Sequence, residues 1–407
     1  MSQDYFPVFK KKNAKEPPLV YFDNAATTQK PQSVLNAMNE VYTAFNANVY
    51  RGNYYWSEKT TALYSACRQK VASFIGASHS EEIIFTRNTT ESINLVAQIL
   101  ARDYFKKGDE IIVSIAEHHS NYLPWWQLAQ THHLKLKIIG LNSEGYFDLE
   151  QFKKTLSPKT KLVAIAGVTN VLGTINPLKE IISLSHKIGS LVLVDGAQLI
   201  SHLPVNINNL DCDFLAFSGH KMYGPTGIGV LYAKKLWLSQ TEPLLLGGEM
   251  VNNFDGNSVC WANVPQKFEA GTPAYIEAIG LGAAIDYLNK VGFSAIEERE
   301  KVLLQNAFVG LQNIKEVTIL GPQTLKDRSS IIAFNLKGIH AHDLSELLAE
   351  KGIMVRAGVH CAGPLHSMLK IPASTRLSFG VYNTLAEVKY FLKILQEINQ
   401  SVNYGKR

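Results

Sequence analysis

A lysine and an aspartate at the ends of two apolar runs are the residues of this sequence best suited to chemistry. Lys221 follows the run DFLAFSGH (213–220) and precedes a Gly- and Pro-rich turn, and Asp195 ends the run SLVLVD (190–195). A lysine amine held beside small residues can attack an aldehyde and form an imine. A lone lysine in a turn is usually an ordinary surface residue, so the interpretation depends on Asp195, because a buried carboxylate needs a cationic partner.

The two residues together predict a site for pyridoxal phosphate. This cofactor offers an aldehyde for the lysine, and its pyridinium nitrogen, kept protonated by the aspartate, lets the ring accept electrons. Gln198, three residues after Asp195, can donate a hydrogen bond to the phenolic oxygen. Both residues are expected at the carboxyl ends of strands, where open α/β sheets bind their ligands.

Other apolar runs also end in polar residues that suit this ligand. Thr89 and Thr90 follow the run 82–86 and open a helix, whose N-terminal N–H groups attract a phosphate. Thr90 taken alone could equally be a plain helix cap. His118 follows the run 109–115 and can contact a ring and move protons near neutral pH, and Asn170 follows the run 161–168.

The order of the apolar runs predicts an α/β fold. Near-continuous Val, Ile and Leu runs are typical of a mainly parallel sheet that is buried on both faces. Seven strands are predicted at 82–86, 109–115, 134–140, 161–168, 190–197, 213–219 and 227–233. Later helices are predicted at 274–290, 295–312, 342–351 and 384–400, and later strands at 317–320, 329–336, 353–356 and 375–379. We expect a large domain (23–290), a smaller α+β domain (291–407) and an N-terminal segment (1–22) that joins the small domain.

Composition excludes several classes of protein. The 407 residues are 46% hydrophobic and 18% charged, which is a globular composition. The net charge is +5, and the basic cluster of Lys10, Lys11, Lys12 and Lys15 is too small to indicate nucleic-acid binding. No apolar run approaches the ~20 residues of a membrane helix, and no secretory signal is recognisable. Four widely spaced cysteines argue against a disulfide scaffold and predict a cytoplasmic protein.

The motifs together resemble those of SUF-type cysteine desulfurases, which are fold-type I pyridoxal phosphate enzymes of the class V aminotransferase group. The motifs that carry this resemblance are YFDNAATTQKP (21–31), NTTESINLVA, EHHSNYLPW, VTNVLGTINP, VLVDGAQ, SGHKMYGPTGIGVLY, FEAGTP, VRAGVHCAGPL (355–365) and RLSFGVYNT (376–384). Each motif alone is weak, but the set is specific. The resemblance implies a large, mainly parallel seven-stranded domain and a smaller α+β C-terminal domain that carries the Cys361 loop.

The resemblance implies a role for each residue around the cofactor. Lys221 would hold it covalently, Asp195 would pair with the pyridine nitrogen, and His118 would stack on the ring and assist proton transfers. Near the phenolic oxygen would lie Asn170 and Gln198. The phosphate would be held by Thr89, Thr90, Ser218 and His220. Thr272, in FEAGTP, would reach the phosphate of another subunit, which implies a homodimer.

The resemblance also implies how the substrate is treated. Cys361, whose Gly-rich neighbours favour an exposed thiolate, would take sulfur from L-cysteine as a persulfide and release L-alanine. An acceptor protein of the SUF system would receive that sulfur for iron–sulfur cluster assembly. Arg376 would bind the substrate carboxylate as a two-point fork, and Arg356 and Asn170 would also contact the substrate. The other cysteines are predicted to be buried small hydrophobes: Cys67, Cys212 and Cys260.

The activity has alternatives that the residues leave open. The same scaffold cleaves Cβ–Se and Cβ–SO2 bonds, so a selenocysteine lyase or a cysteine sulfinate desulfinase is the nearest one. A non-catalytic scaffold that binds desulfurase partners is a different alternative, and the presence of Lys221 and Asp195 argues against it.

The acceptor is a separate question that involves His342. This histidine starts a predicted helix and could simply face solvent. Similar desulfurases that serve a zinc-bearing acceptor have a histidine at this spacing, and imidazole is a good zinc ligand. Tyr54 stands where the family commonly has a histidine, and we expect it near the entrance of the site.

Overall fold

The computed structural model describes residues 2–10 and 18–404. Lys11, Lys12 and Lys15 of the basic cluster lie outside the described residues. The chain begins with strand β1 (Val20–Tyr21) and helices α1 (Gln32–Ala44) and α2 (Tyr55–Ile75). Within the described ranges, every helix is too short or too polar to cross a lipid bilayer.

The seven strands predicted from the apolar runs form one sheet. They are β2 (Ile83–Thr86), β3 (Glu110–Ser114), β4 (Lys135–Ile139), β5 (Thr160–Ala166), β6 (Leu191–Asp195), β7 (Phe214–Ser218) and β8 (Gly229–Ala233). Their order is β2-β8-β7-β6-β5-β3-β4, and β8 runs antiparallel to both of its neighbours while the others pair in parallel. The prediction of a mainly parallel sheet is confirmed.

Helices cover both faces of this sheet, which is why its central strands are largely apolar, whereas the edge strand β4 contains Lys135 and Lys137 and is mostly exposed or half-buried. The helices that connect its strands are α3 (Thr89–Asp103), α4 (Leu123–Thr131), α5 (Leu149–Thr155), α6 (Leu178–His186) and α7 (Ile207–Leu210). Ile93 of α3 and Trp125 of α4 belong to the core on one face. Val41, Val71 and Ile181 belong to the core on the other face.

After β8 the chain adds α8 (Lys235–Gln240) and an antiparallel hairpin of β9 (Val251–Phe254) and β10 (Val259–Trp261). Cys260 lies in this hairpin and is exposed, whereas Cys67 and Cys212 are buried. The prediction that Cys260 is buried was therefore wrong, because β9 and β10 form a separate two-stranded sheet instead of joining the main one.

Two long helices lead to a smaller sheet. The helices are α9 (Tyr275–Val291) and α10 (Phe293–Gln312), and the strands are β11 (Val317–Ile319), β12 (Ile331–Leu336), β14 (Arg356–Gly358) and β15 (Ser374–Ser378). The strand order is β11-β12-β15-β14, and each pair is antiparallel. The remaining elements are β13 (Ile353–Met354), α11 (Ala341–Glu350), α12 (Gly363–Met368) and α13 (Leu385–Tyr404).

The N-terminal strand joins the region of the small sheet. β1 pairs in parallel with β13, and Val20 and Phe22 are buried in the core beneath the small sheet. Asp23, the next residue, forms an isolated bridge with Ser378 at the end of β15. The predicted division into two domains at residues 290 and 291 remains a prediction, and it falls in the last turn of α9.

Candidate active site

A cavity of about 340 Å³ lies at the edge where β3, β5, β6 and β7 end. It brings together nearly all of the residues singled out in the sequence: Thr89, Thr90, His118, Asn170, Asp195, Gln198, Ser218, His220, Lys221, Arg356, Cys361 and Arg376. Asp195 is the last residue of β6, and Lys221 ends a single 3-10 turn (Gly219–Lys221) that follows β7. Buried parallel strands therefore deliver both residues to one place.

Asp195 is a buried carboxylate without an ion pair. One oxygen accepts a hydrogen bond from the N–H of Ala197 at 2.9 Å. Within the described part of the chain, no lysine or arginine lies within salt-bridge distance of it. Burial raises the pKa of Asp195. A cationic ring nitrogen would satisfy this carboxylate, since a buried charge is costly unless it is paired.

The peptide group that precedes Lys221 is fixed by several hydrogen bonds. The carbonyl of His220, directly before it, accepts hydrogen bonds from Thr27 Oγ1 (3.1 Å), Thr28 N (3.0 Å) and Lys30 Nζ (3.0 Å). Burial lowers the pKa of Lys221, and the nearby Asp195 partly offsets this effect. A lowered pKa increases the fraction of neutral amine, which is the form that attacks a carbonyl.

Hydroxyl and N–H groups gather where α3 begins. Ser218 Oγ accepts from Thr89 N at 2.8 Å and lies 2.6 Å from Thr89 Oγ1. Thr90 Oγ1 lies 2.7 Å from Ser120 Oγ. The helix cap is Asn88, whose side chain accepts from the N–H of Glu91, so Thr90 is not the cap. These donors at a helix N-terminus suit the phosphate of the predicted cofactor.

His118 is neutral and its ring orientation is defined. The N–H of Ser120 donates to His118 Nδ1 at 3.1 Å, so the ring proton belongs on Nε2. Burial, reinforced by the charge of Lys221, lowers the pKa of His118 to about 3. Burial likewise lowers the pKa of His220 to about 4. Both imidazoles are therefore uncharged at neutral pH.

Cys361 reaches the cavity on a loop with unusual backbone geometry. His360 and Cys361 both have left-handed φ values, of 49° and 53°, in a region that non-glycine residues rarely adopt. The carbonyl of Cys361 accepts from His119 N at 2.6 Å, and that of His360 accepts from Asn170 Nδ2 at 2.7 Å. In addition, Gly363 N donates to His119 Nε2 at 3.0 Å. Cys361 itself is exposed.

Two arginines line the cavity beside Cys361. Arg376 is buried, which lowers its pKa to about 10, and its Nη1 donates to the carbonyl of Asn170 at 2.9 Å. Arg356 is half exposed. Both arginines contact Asp23, and the closest contacts are 2.9 Å for Arg356 and 3.3 Å for Arg376.

Two amides complete the lining and leave hydrogen-bonding capacity for a ligand. Asn170 Oδ1 is buried and has no partner among the described residues. Gln198 Nε2 donates to the carbonyl of Ala25 at 2.7 Å, and an amide nitrogen carries a second hydrogen. Together with the unpaired Asp195, the neutral His118 and the Lys221 amine, this donor set fits pyridoxal phosphate.

Three residues of interest lie outside the cavity lining. Thr272 is exposed in the turn before α9. Tyr54 is 54% exposed at the start of α2 and does not line the cavity of its own chain. His342 is exposed in the first turn of α11, and its imidazole lies on the side of Gly358 of β14 where a side chain would project.

Sequence reasoning missed three residues that support the site. Asp23 pairs with both arginines, and His119 is bonded to the cysteine loop. Glu117 is fully buried and accepts hydrogen bonds from Ala166 N (3.0 Å) and Asn121 Nδ2 (2.6 Å). All three lie within the motifs YFDNAATTQKP and EHHSNYLPW, but spacing along the chain gives no sign of their partners.

Comparison with known proteins agrees with this geometry. Residues 20–391 match the aminotransferase class-V family. A probable cysteine desulfurase from Halalkalibacterium halodurans is 46% identical over 383 residues, which cover 94% of each chain. A cysteine desulfurase from Haloferax volcanii is 42% identical and aligns with 91% of this chain and 87% of its own.

A solved structure has the same fold over nearly the whole chain. The apo structure of a cysteine desulfurase from Thermococcus onnurineus superposes with a TM-score of 0.93 at 41% identity, covering 98% of this chain and 97% of its own. The alignments to these relatives cover almost the whole chain, including the residues that line the cavity. The chain therefore belongs to the class-V aminotransferase family of pyridoxal phosphate enzymes, in which its relatives are cysteine desulfurases.

Proposed function

We propose that this protein is a cysteine desulfurase that converts L-cysteine into L-alanine and takes the sulfur onto Cys361. The observation that carries this proposal is the shared cavity of Lys221, Cys361 and Arg376. An amine that can hold a carbonyl cofactor, an exposed thiol and a buried carboxylate-binding guanidinium meet there. Together these groups suit the transfer of a substrate's sulfur to a protein thiol.

Pyridoxal phosphate, when bound, supplies an electron-accepting ring that weakens the bonds around the α-carbon of an amino acid. In this proposal Lys221 holds the cofactor, Asp195 pairs with its ring nitrogen, and His118 contacts the ring. Its phenolic oxygen is contacted by Asn170 and Gln198. Its phosphate is bound by Thr89, Thr90, Ser218 and His220, and by Thr272 from another subunit of a homodimer.

The chain's own residues position the substrate and receive its sulfur. Arg376 binds the carboxylate, with Arg356 and Asn170 beside it, and Lys221 and His118 move the α-proton. The thiolate of Cys361 attacks the substrate sulfur, so the Cβ–Sγ bond breaks and a new S–S bond forms. The electron pair of the broken bond and one proton go to Cβ, which leaves L-alanine and a persulfide on Cys361.

A selenocysteine or cysteine sulfinate substrate is the alternative within the same site. Release of selenium or sulfite need not use a protein thiol, whereas sulfur transfer does. The exposed Cys361 in the cavity favours the desulfurase. We also propose a reducing, cytoplasmic setting, because a thiol nucleophile must stay reduced.

Sulfide and alanine measured together from L-cysteine and a thiol test the activity. We expect wild-type holoenzyme to release them in equal amounts, and Cys361→Ser to lose persulfide and thiol-stimulated sulfide while it keeps the visible cofactor band. Cys260→Ser is the matched control, because Cys260 is also an exposed thiol but lies in the β9–β10 hairpin. Wild-type sulfide release by Cys361→Ser would refute the role of this cysteine.

We further propose a SUF-system acceptor that bears zinc, with His342 as the residue that exchanges onto the metal. Its support is position: the imidazole lies beside Gly358, three residues before Cys361. His342→Ala should keep basal desulfuration and lose stimulation by a zinc-containing acceptor. His132→Ala is the control, because His132 is an exposed histidine at the end of α4. Equal stimulation of wild type and His342→Ala would exclude ligand exchange at this residue.

A further inference from the structure

Asp23 connects the two arginines of the cavity. Arg356 Nε and Nη2 donate to its carboxylate at distances of 2.9–3.1 Å, and Arg376 Nη2 lies 3.3 Å from Asp23 Oδ1. The side chain of Asp23 is only 15% exposed, so water screens these contacts weakly. One carboxylate is thus shared by two guanidinium groups.

The small sheet makes such a carboxylate necessary. Arg356 and Arg376 are directly opposite each other on the antiparallel strands β14 and β15. Like charges in this cross-strand arrangement repel each other. The N-terminal segment brings Asp23 to them, because Phe22 N donates to Met354 O at 2.9 Å and Ser378 N donates to Phe22 O at 2.8 Å.

Pairing also determines the charge that the cavity offers to a substrate. Two arginines and one aspartate leave a net charge of +1 on this side of the cavity, which matches one substrate carboxylate. Cys361 lines the same cavity as the two arginines. In the proposed reaction it attacks the sulfur of the substrate, so the side chain of a bound substrate would lie toward Cys361. A second negative charge on that side chain would find no unpaired positive charge nearby, because Asp23 already neutralises Arg356.

We propose that Asp23 is a specificity-determining residue that makes the site select amino acids with an uncharged side chain over amino acids with an acidic one. It acts through Arg356 and Arg376 and is therefore a positioning residue for them. The inference rests on the proposed desulfurase function for the identity of the substrate and for the direction of its side chain. Acidic substrates such as cysteine sulfinate are the class that Asp23 disfavours.

Binding of two simple amino acids to the holoenzyme tests the proposal without turnover. L-Alanine carries one carboxylate, and L-aspartate adds a second one on a side chain of similar size to that of cysteine sulfinate. Each Kd is obtained by titrating the visible band of the bound cofactor. The ratio of the L-aspartate Kd to the L-alanine Kd cancels any general damage to the site.

In Asp23→Asn we expect this ratio to fall about tenfold, because one negative charge is removed next to the second carboxylate. Asp23→Glu keeps the charge and should keep a ratio close to that of wild type. Asp23→Asn combined with Arg356→Gln restores the net charge and should restore the ratio. Asp103→Asn is the matched control, because this exposed aspartate ends α3 about 20 Å from Thr89.

An unchanged ratio in Asp23→Asn, or a double variant that stays at the low ratio, would overturn the proposal. If Asp23→Asn does not take up the cofactor, Arg356→Gln is used as the test instead. It removes a positive charge and should raise the ratio of the two Kd values. An unchanged ratio in Arg356→Gln would then refute the proposal. Sulfide release from L-cysteine by wild type is recorded in parallel. If wild type releases no sulfide, the proposed function is refuted. The charge selectivity of Asp23 is still measured, because it is given by the ratio of the two Kd values.

Discussion

The cavity has two walls that are built in different ways. The first wall consists of the ends of β3, β5, β6 and β7, where Asp195 and Lys221 follow directly from buried strands. The second wall is the loop after β14, where Cys361 has a left-handed backbone. The strands hold the first wall through their own hydrogen-bond ladder. The loop of the second wall depends on hydrogen bonds from the first.

This difference separates two tasks. Lys221, Asp195, His118, Asn170 and Ser218, which are proposed to hold the cofactor, lie on the first wall. The nucleophile lies on the second wall, which is held by bonds from the first. His119 and Asn170 supply that support, because they bind the carbonyls of Cys361 and His360. A change of Lys221 or Asp195 in the first wall should therefore abolish cofactor binding, whereas loss of the His119 side chain should affect only the sulfur step.

Lys221→Ala should abolish cofactor binding by the first wall, and we expect the largest loss of activity from this variant. The covalent link to the cofactor is lost, and desulfuration should fall by about 10⁴-fold or more, as for other essential nucleophiles. The visible band after dialysis and the sulfide released from L-cysteine measure the two losses. Lys235→Ala, an exposed lysine on α8, is the control. A band that survives dialysis in Lys221→Ala would contradict the assignment.

His119→Ala should weaken only the second wall. Gly363 N–H loses its acceptor, and a hydrogen bond of this kind contributes about 1 kcal/mol, so persulfide formation should slow about fivefold. Trapping of the persulfide with an alkylating reagent measures this rate, and the cofactor band should stay unchanged. His132→Ala removes an exposed histidine at the end of α4 and serves as the control. Loss of the cofactor band in His119→Ala would show that the two walls are not separable.

The smallest expected effect concerns Glu117, a buried residue behind the first wall, and it is seen in how the free energy of unfolding depends on pH. Burial raises its pKa from 4.5 to about 8 in the folded protein. Between these values the folded protein holds a proton that the unfolded chain has lost, so the free energy of unfolding should fall as pH rises toward 8. Glu117→Gln cannot ionise and should show a flatter dependence.

Denaturant unfolding of wild type and Glu117→Gln at several pH values between 6.5 and 8 measures that slope. The range begins at 6.5 because His118 and His220 contribute with the opposite sign below it. Burial lowers their pKa values from 6.5 to about 3 and about 4, so their contributions are lost as pH falls through that range. Equal slopes in the two proteins would mean that Glu117 is ionised in the folded state.

Much of the fold and of the first wall could be predicted because the signals are local. Buried strands are continuous apolar runs, and the residue that follows such a run lies at the sheet edge. Lys221, Asp195 and His118 could therefore be assigned to one edge before any contact was known. The residue that caps α3, which is Asn88, and the exposure of Cys260 could not be predicted in this way, since both depend on which neighbours the fold supplies.

The strands, the residues at their carboxyl ends and the chemistry that those residue types allow are all encoded locally in the sequence. The pairing of Asp23 with Arg356 and Arg376, and the hold of His119 on the loop of Cys361, exist only in the folded chain. Asp23 is more than 300 residues before the arginines, and His119 is more than 200 before Gly363. Periodicity reports which face of an element is buried, but it carries no information about which distant segment covers that face.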